Sequence, residues 1–137
     1  KGQFVAPWDM GPVRDKVTEA GNDRVLLTER GSSFGYNNLV VDFRSIPIMR
    51  ALGVPVIFDA THSVRASPEG KAAAPAVNGI TAHMARAAAG AGVDGIFMEC
   101  HPDPDKALCD GPNSWPVAKL PALLKQLSAI WNIPYDL

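Results

Sequence analysis

Short β-rich runs alternate with amphipathic stretches along this chain, and that order restricts its fold more than any other feature. After an extended start through Val5, Asp9 is placed to cap a helix reaching about Ala20, where Gly21-Asn22 stops it. Val25-Leu26-Leu27-Thr28 reads as a buried strand ending in Glu29-Arg30-Gly31, with a polar loop from Gly31 to Asn38. Leu39 to Gly53 contains a short helix around Ser45 to Leu52, with Pro47 near its first turn, where a missing N–H is tolerated. Pro55 to Asp59 is the next strand. The small-residue-rich loop after it, Thr61 to Asn78, has the features of a lid. A helix from about Ile80 to Ala91 follows, with Ile80, Met84 and Ala88 at helical spacing. Gly95 to Met98 is a further strand, closed by Glu99-Cys100-His101-Pro102, and an irregular loop reaches Trp115. A final helix, about Pro116 to Trp131, places Leu120, Leu123, Leu124, Leu127 and Ile130 on one face.

The resulting order is β-α-β-α-β-α-β-α with the first strand cut short. Apolar strands without alternation imply burial on both faces, as parallel sheets require. A (β/α)8 TIM barrel needs eight β-α units in roughly 250 residues, and four units in this chain amount to about half of one. The expected fold is therefore α/β, half of a TIM barrel, with residues 1–137 forming part of one domain and no second domain. An open doubly wound sheet is the alternative, but neither GxGxxG nor a P-loop supports it. The opening Lys1-Gly2-Gln3-Phe4-Val5, with no initiator Met or signal peptide, reads as the middle of a chain.

Composition narrows the function classes. Apolar residues at 47% and charged residues at 20% fit a globular protein and exclude disorder. Thirteen basic against fourteen acidic side chains give a net charge of -1, without the basic surplus of a nucleic-acid binder. No apolar run approaches the roughly 20 residues that span a bilayer, so no membrane role is expected. Cys100 and Cys109 form neither a metal-type pair nor a disulfide framework, and two free thiols point to a reducing cytoplasm.

The strongest functional signal is positional. Arg30 follows one strand, Asp59 and His62 end the next, and Glu99 and His101 end another. All fall at the C-terminal mouth of parallel strands, where barrel enzymes place their chemistry. Arg30 reads either as a buried ion pair with Glu29 or as a guanidinium fork for phosphate or carboxylate. His62 alone would be an ordinary loop histidine. Together with Glu99 and Asp110 it offers one imidazole and two carboxylates, a set suited to Zn, Fe or Mn with open positions. No short-range motif such as HExxH accompanies it. His83 receives no role, His101-Pro102 shapes a turn, and Trp8, Trp115 and Trp131 read as core or interface anchors.

Lys1-Gly2-Gln3-Phe4, Glu29-Arg30-Gly31, Phe34-Gly35-Tyr36-Asn37-Asn38-Leu39-Val40-Val41-Asp42, Asp59-Ala60-Thr61-His62-Ser63, Glu99-Cys100-His101-Pro102-Asp103-Pro104 and Cys109-Asp110-Gly111-Pro112 together resemble the 3-deoxy-D-manno-octulosonate 8-phosphate synthases (2-dehydro-3-deoxyphosphooctonate aldolases). The resemblance runs along essentially the whole chain. Its ERG, THS and ECHPDP segments are shared with the related 3-deoxy-D-arabino-heptulosonate 7-phosphate synthases. The resemblance implies a (β/α)8 barrel that condenses phosphoenolpyruvate with arabinose 5-phosphate and releases phosphate, for lipopolysaccharide assembly, and a homotetramer. It also implies that Arg30 and a lysine at the Lys1 strand end hold phosphoenolpyruvate. Lys1 matches the second of a tandem lysine pair whose first member is the main ligand, and Gln3 is a weaker candidate. The positions matching His62, Glu99 and Asp110 ligate metal in the metal-dependent branch, where a first-strand cysteine outside this chain completes the set. An asparagine replaces that cysteine in the metal-independent branch. Gln3 to Trp8 resembles the metal-dependent branch and Asp110-Gly111-Pro112 the other; the reading leans towards metal.

The implied chemistry suits these residue types. Phosphoenolpyruvate carries a phosphate and a carboxylate, so its site needs fixed cations for both. Carbon 3 attacks the aldehyde, water captures carbon 2, and phosphate leaves. A metal with an open position orients the aldehyde or acidifies a water; without metal, His62 and a carboxylate position or deprotonate that water. The loop from Thr61 to Asn78 closes over the site. Two alternatives stand beside this reading: a heptulosonate synthase acting on erythrose 4-phosphate, and a non-catalytic half-barrel module. The second leaves Arg30, His62, Glu99 and Asp110 at one end without a purpose.

Overall fold

A computed structural model describes residues 1–35, 38–64 and 74–134, with the backbone alone at 38 and 74–79. Its centre is a parallel three-stranded sheet. β1 (Leu27–Glu29) and β5 (Gly95–Phe97) flank β4 (Val56–Asp59). Leu27 pairs with Val56 and Glu29 with Phe58, while Phe58 pairs with Ile96 and Asp59 with Phe97. This register brings the last residues of all three strands to one end.

Helices enclose the sheet. α1 (Met10–Glu19) ends as its sequence requires: Gly21 takes φ +92°, its N–H reaches the Thr18 carbonyl, and the Asn22 N–H reaches that of Val17. These paired bonds satisfy carbonyls the helix would otherwise leave bare. α2 (Ser45–Arg50), α3 (Ala74–Gly90) and α4 (Leu120–Trp131) complete the set. The core joins Leu27, Val56 and Phe58 of the sheet to Ile46 and Met49 of α2, Ala85, Ala88 and Ala89 of α3, and Leu123 and Leu127 of α4.

Opposite the strand C-termini, polar bonds lock the elements together. An Asp94 carboxylate oxygen accepts the Val56 N–H at 2.8 Å, and its other oxygen lies 3.2 Å from the Arg50 guanidinium. The Trp131 indole N–H donates to the Val93 carbonyl at 2.9 Å.

The structure corrects several expectations. Lys1 to Val5 is no strand, because Gly2 to Val5 closes a turn through the Val5 N–H and the Gly2 carbonyl. Among the described residues the central parallel sheet therefore holds three strands, not four. Asp9 does not cap α1 through its side chain. It sits in a 3-10 turn, Pro7–Asp9, with φ -78° and ψ -2°, whereas a capping residue needs an extended backbone. The expected polar loop from Gly31 to Asn38 is instead an antiparallel pair, β2 (Ser32–Phe34) with β3 (Asn38–Val40).

α3 begins at Ala74, not near Ile80, so the segment after β4 is shorter than expected. Its start, Thr61 to Val64, is turned and partly buried, and residues 65–73 of the expected lid lie outside the described residues. Ile80 is 47% exposed, and Thr81, Ala82, Ala85, Ala88 and Ala89 form the buried face. The loop reaching Trp115 contains a second parallel pair, β6 (Cys100–His101) with β7 (Trp115–Pro116). α4 starts at Leu120 behind a 3-10 turn, Val117–Lys119, and Leu124 is half exposed rather than packed.

Candidate active site

Four side chains converge just beyond the ends of β4 and β5. Asp59 closes β4 and is nearly buried. Its Oδ1 accepts the backbone N–H of Thr61 at 3.0 Å and of His62 at 2.8 Å, which bends the chain sharply after the strand. That bend returns the His62 ring to the same carboxylate, with Nδ1 2.7 Å from Asp59 Oδ2. Phe97, at the end of β5, stacks on the imidazole with centroids 5.9 Å apart.

The opposite ring edge faces two acids. His62 Nε2 lies 3.3 Å from Glu99 Oε1 and 3.9 Å from Asp110 Oδ2. Glu99 is set by two backbone bonds: its N–H donates to the buried Thr61 hydroxyl oxygen at 2.8 Å, and its carbonyl accepts from Trp115 at 2.8 Å. Asp110 takes the left-handed conformation, φ 45° and ψ 27°, at the head of a 3-10 turn, Gly111–Asn113. Its carbonyl accepts the N–H groups of Asn113 and Ser114. One nitrogen and two carboxylate oxygens thus lie within 4.8 Å of one another, all partly open to solvent. A tetrahedral ion with bonds near 2.1 Å sets its ligand atoms about 3.4 Å apart, so this donor set fits a divalent cation.

The remaining expected residues sit beside this cluster. Arg30 follows β1 and is half-buried. It is not paired with Glu29, as one reading of the sequence held. Glu29 instead meets Lys1, with Nζ 3.6 Å from Oε1, and accepts the Gly31 N–H at 2.6 Å. Among the described residues the Arg30 guanidinium has no carboxylate partner. Lys1 Nζ also donates to the Ser32 hydroxyl at 3.0 Å, and its side chain is enclosed. Gln3 is half-buried, and its carbonyl accepts the Ser33 N–H. His101 Nδ1 accepts the Asp103 N–H at 3.0 Å, so it shapes the turn as expected, and His83 lies exposed on α3. The sequence reading assigned no work to Asp59 or Thr61. The available signal was the Asp-x-x-His spacing at a strand end, which allows one carboxylate to reach both the turn N–H groups and the ring.

Residues 1–132 match the DAHP synthetase I family. The chain belongs to that family. Within the DAHP synthetase I family, it is similar to the 2-dehydro-3-deoxyphosphooctonate aldolase of Nitratidesulfovibrio vulgaris, at 65% identity over 98% of this chain and 50% of the relative. Proteins of the same name from Geobacter metallireducens and Geobacter sulfurreducens are 56% and 57% identical, each over 95% of this chain and 48% of the relative. The chain thus spans about half the length of the curated relatives it matches. Among the described residues no helix is long and apolar enough to cross a membrane.

Proposed function

We propose that this chain is the C-terminal half of a (β/α)8 barrel that condenses phosphoenolpyruvate with arabinose 5-phosphate to 3-deoxy-D-manno-octulosonate 8-phosphate and phosphate, supplying lipopolysaccharide synthesis. The observation that carries the reading is the convergence of His62, Glu99 and Asp110 beyond adjacent parallel strands. Similarity to relatives named 2-dehydro-3-deoxyphosphooctonate aldolase supports the choice of sugar.

His62, Glu99 and Asp110 hold a divalent ion, Zn, Fe or Mn, with a further ligand from outside this chain. When bound, the ion supplies an electrophilic centre that orients the aldehyde or acidifies a water. Arg30, without a carboxylate partner among the described residues, offers its fork to a phosphoenolpyruvate oxyanion. Lys1, with Gln3 on the same segment, is the further candidate for phosphoenolpyruvate, its charge offset here by Glu29 at 3.6 Å. Carbon 3 of phosphoenolpyruvate forms the new bond to the aldehyde carbon as its double bond to carbon 2 opens, and the carbonyl π pair moves to the aldehyde oxygen, which takes a proton. Water adds to carbon 2, and the bond from carbon 2 to the phosphate oxygen then breaks. The proton that the added water gives up balances the one taken by the aldehyde oxygen.

Self-association as a homotetramer is what the family resemblance implies, and the free thiols Cys100 and Cys109 suit a cytoplasmic protein. No nucleic-acid or membrane partner is part of this reading. The test is phosphate release by the full-length protein given phosphoenolpyruvate and either sugar phosphate, before and after chelation. Turnover with arabinose 5-phosphate, lost on chelation and restored by a divalent metal, is expected. Turnover with erythrose 4-phosphate alone would overturn the substrate, and undiminished turnover after chelation the metal. A protein that neither binds phosphoenolpyruvate nor turns over would be a non-catalytic module.

A further inference from the structure

We infer that Asp59 is a positioning residue that fixes the tautomer of His62, so that the lone pair on Nε2 points between Glu99 and Asp110. The inference deepens the proposed metal site and rests on that reading. A neutral imidazole carries one proton, and the hydrogen bond made by one ring nitrogen decides which nitrogen holds it. Asp59 Oδ2 lies 2.7 Å from Nδ1, whereas Nε2 is 3.3 Å from Glu99 and 3.9 Å from Asp110, so the closer carboxylate accepts, the proton goes to Nδ1 and Nε2 is left bare. Nε2 is the atom that faces the two carboxylates. A carboxylate behind a histidine in this way is also what orients a metal-ligating ring and raises its basicity.

The other half of the Asp59 carboxylate makes this arrangement hard to replace. Oδ1 is held by two backbone N–H donors, those of Thr61 and His62. In the Asp59→Asn variant the amide oxygen must stay on those donors, because an NH2 group there would meet two N–H groups head-on. The amide nitrogen then occupies the Oδ2 position and donates to Nδ1. That forces the proton to Nε2, which aims an N–H at Glu99 and Asp110 and removes the metal-binding lone pair. The substitution therefore inverts the tautomer instead of merely weakening a contact.

The test uses the full-length protein and two readouts. The first is the 15N spectrum of the metal-free His62 ring in its neutral form, recognised by two unequal ring-nitrogen shifts. Wild type is expected to carry the proton on Nδ1, and Asp59→Asn on Nε2. The second is Co2+ binding followed by visible absorbance, with the dissociation constant expected to rise about 10- to 100-fold in the variant. An Nε2-protonated ring in the wild type overturns the inference and requires no variant to fold. So does a variant that keeps the Nδ1 proton, or one that binds Co2+ within twofold of wild type. If wild type binds no Co2+ yet shows the expected tautomers, the metal reading fails and the positioning by Asp59 stands.

Discussion

The Thr61 hydroxyl oxygen lies 2.8 Å from the Glu99 amide nitrogen, and this bond joins the turn that carries His62 to the segment that carries Glu99. Thr61 is fully buried, so no water can replace it easily. Thr61→Val keeps the shape and removes the acceptor, leaving the Glu99 N–H without its partner. An unsatisfied buried donor costs about 1–3 kcal/mol, and Glu99 loses its register against His62. Urea unfolding is expected to show a loss of that size, with a lower kcat for the proposed condensation in the folded protein. Thr61→Ser, which retains the oxygen, is expected to recover most of the rate. Equal losses in the two variants would point to the methyl group instead.

Gly111 fixes the neighbouring acid. A β-carbon at this position would stand 2.4 Å from the Pro104 carbonyl oxygen, far inside contact distance. The obstacle is backbone, which no rotamer change can move. Gly111→Ala must therefore push apart the two 3-10 turns, Pro104–Lys106 and Gly111–Asn113, and carry Asp110 away from His62 Nε2. Overpacking of this kind costs about 1–3 kcal/mol. Weaker divalent-metal binding measured by calorimetry is expected alongside the lost stability. Unchanged metal binding would mean that Asp110 does not depend on this close approach.

Cys100 gives a pH-dependent readout outside that cluster. Partial burial raises its thiol pKa above the ordinary value, because desolvation disfavours the thiolate. A raised pKa means less thiolate at any given pH, so alkylation by iodoacetamide should be slower at pH 8 than for a small free thiol. The rate should still climb at pH values where that thiol has levelled off. Mass spectrometry of the Cys100 peptide across pH 7 to 10 measures this directly. A rate that plateaus with the free thiol would show that the side chain is fully hydrated.

The line of candidate site residues was legible because each apolar run ends abruptly in charged residues, and a parallel register must bring such ends together. Arg30, Asp59, His62 and Glu99 could be placed at one mouth on that ground. The β2–β3 hairpin was not legible: Ser32, Ser33 and Asn38 carry none of the β-branched pattern that announces a strand. α3 hid its buried face for another reason. Alanines line it on one side and continue around the helix, so spacing alone could not show that Ile80 faces outward while Ala85 and Ala89 pack. The partner of Glu29 was missed because nearness in sequence favoured Arg30, whereas the fold brings Lys1 across from 28 residues away. Asp59 was seen as one more charge at the mouth; its hold on His62 depends on a bend that only the three-dimensional backbone reveals.

Asp94 anchors the opposite end of the sheet, and its variants separate a hydrogen bond from an ion pair. One carboxylate oxygen accepts the Val56 N–H and the other faces Arg50 at 3.2 Å. The Arg50 and Asp94 side chains are 49% and 32% exposed, so solvent screens their attraction and the pair contributes about 0–1 kcal/mol. The Val56 N–H is different, since it sits at the start of a buried central strand and loses its acceptor outright in Asp94→Ala. That variant is expected to cost about 1–3 kcal/mol in urea unfolding, with kcat for the proposed condensation unchanged in the folded protein. Asp94→Asn keeps an oxygen for Val56 and should lose little, as should Arg50→Ala. A loss in Arg50→Ala matching that in Asp94→Ala would instead make the ion pair the anchor.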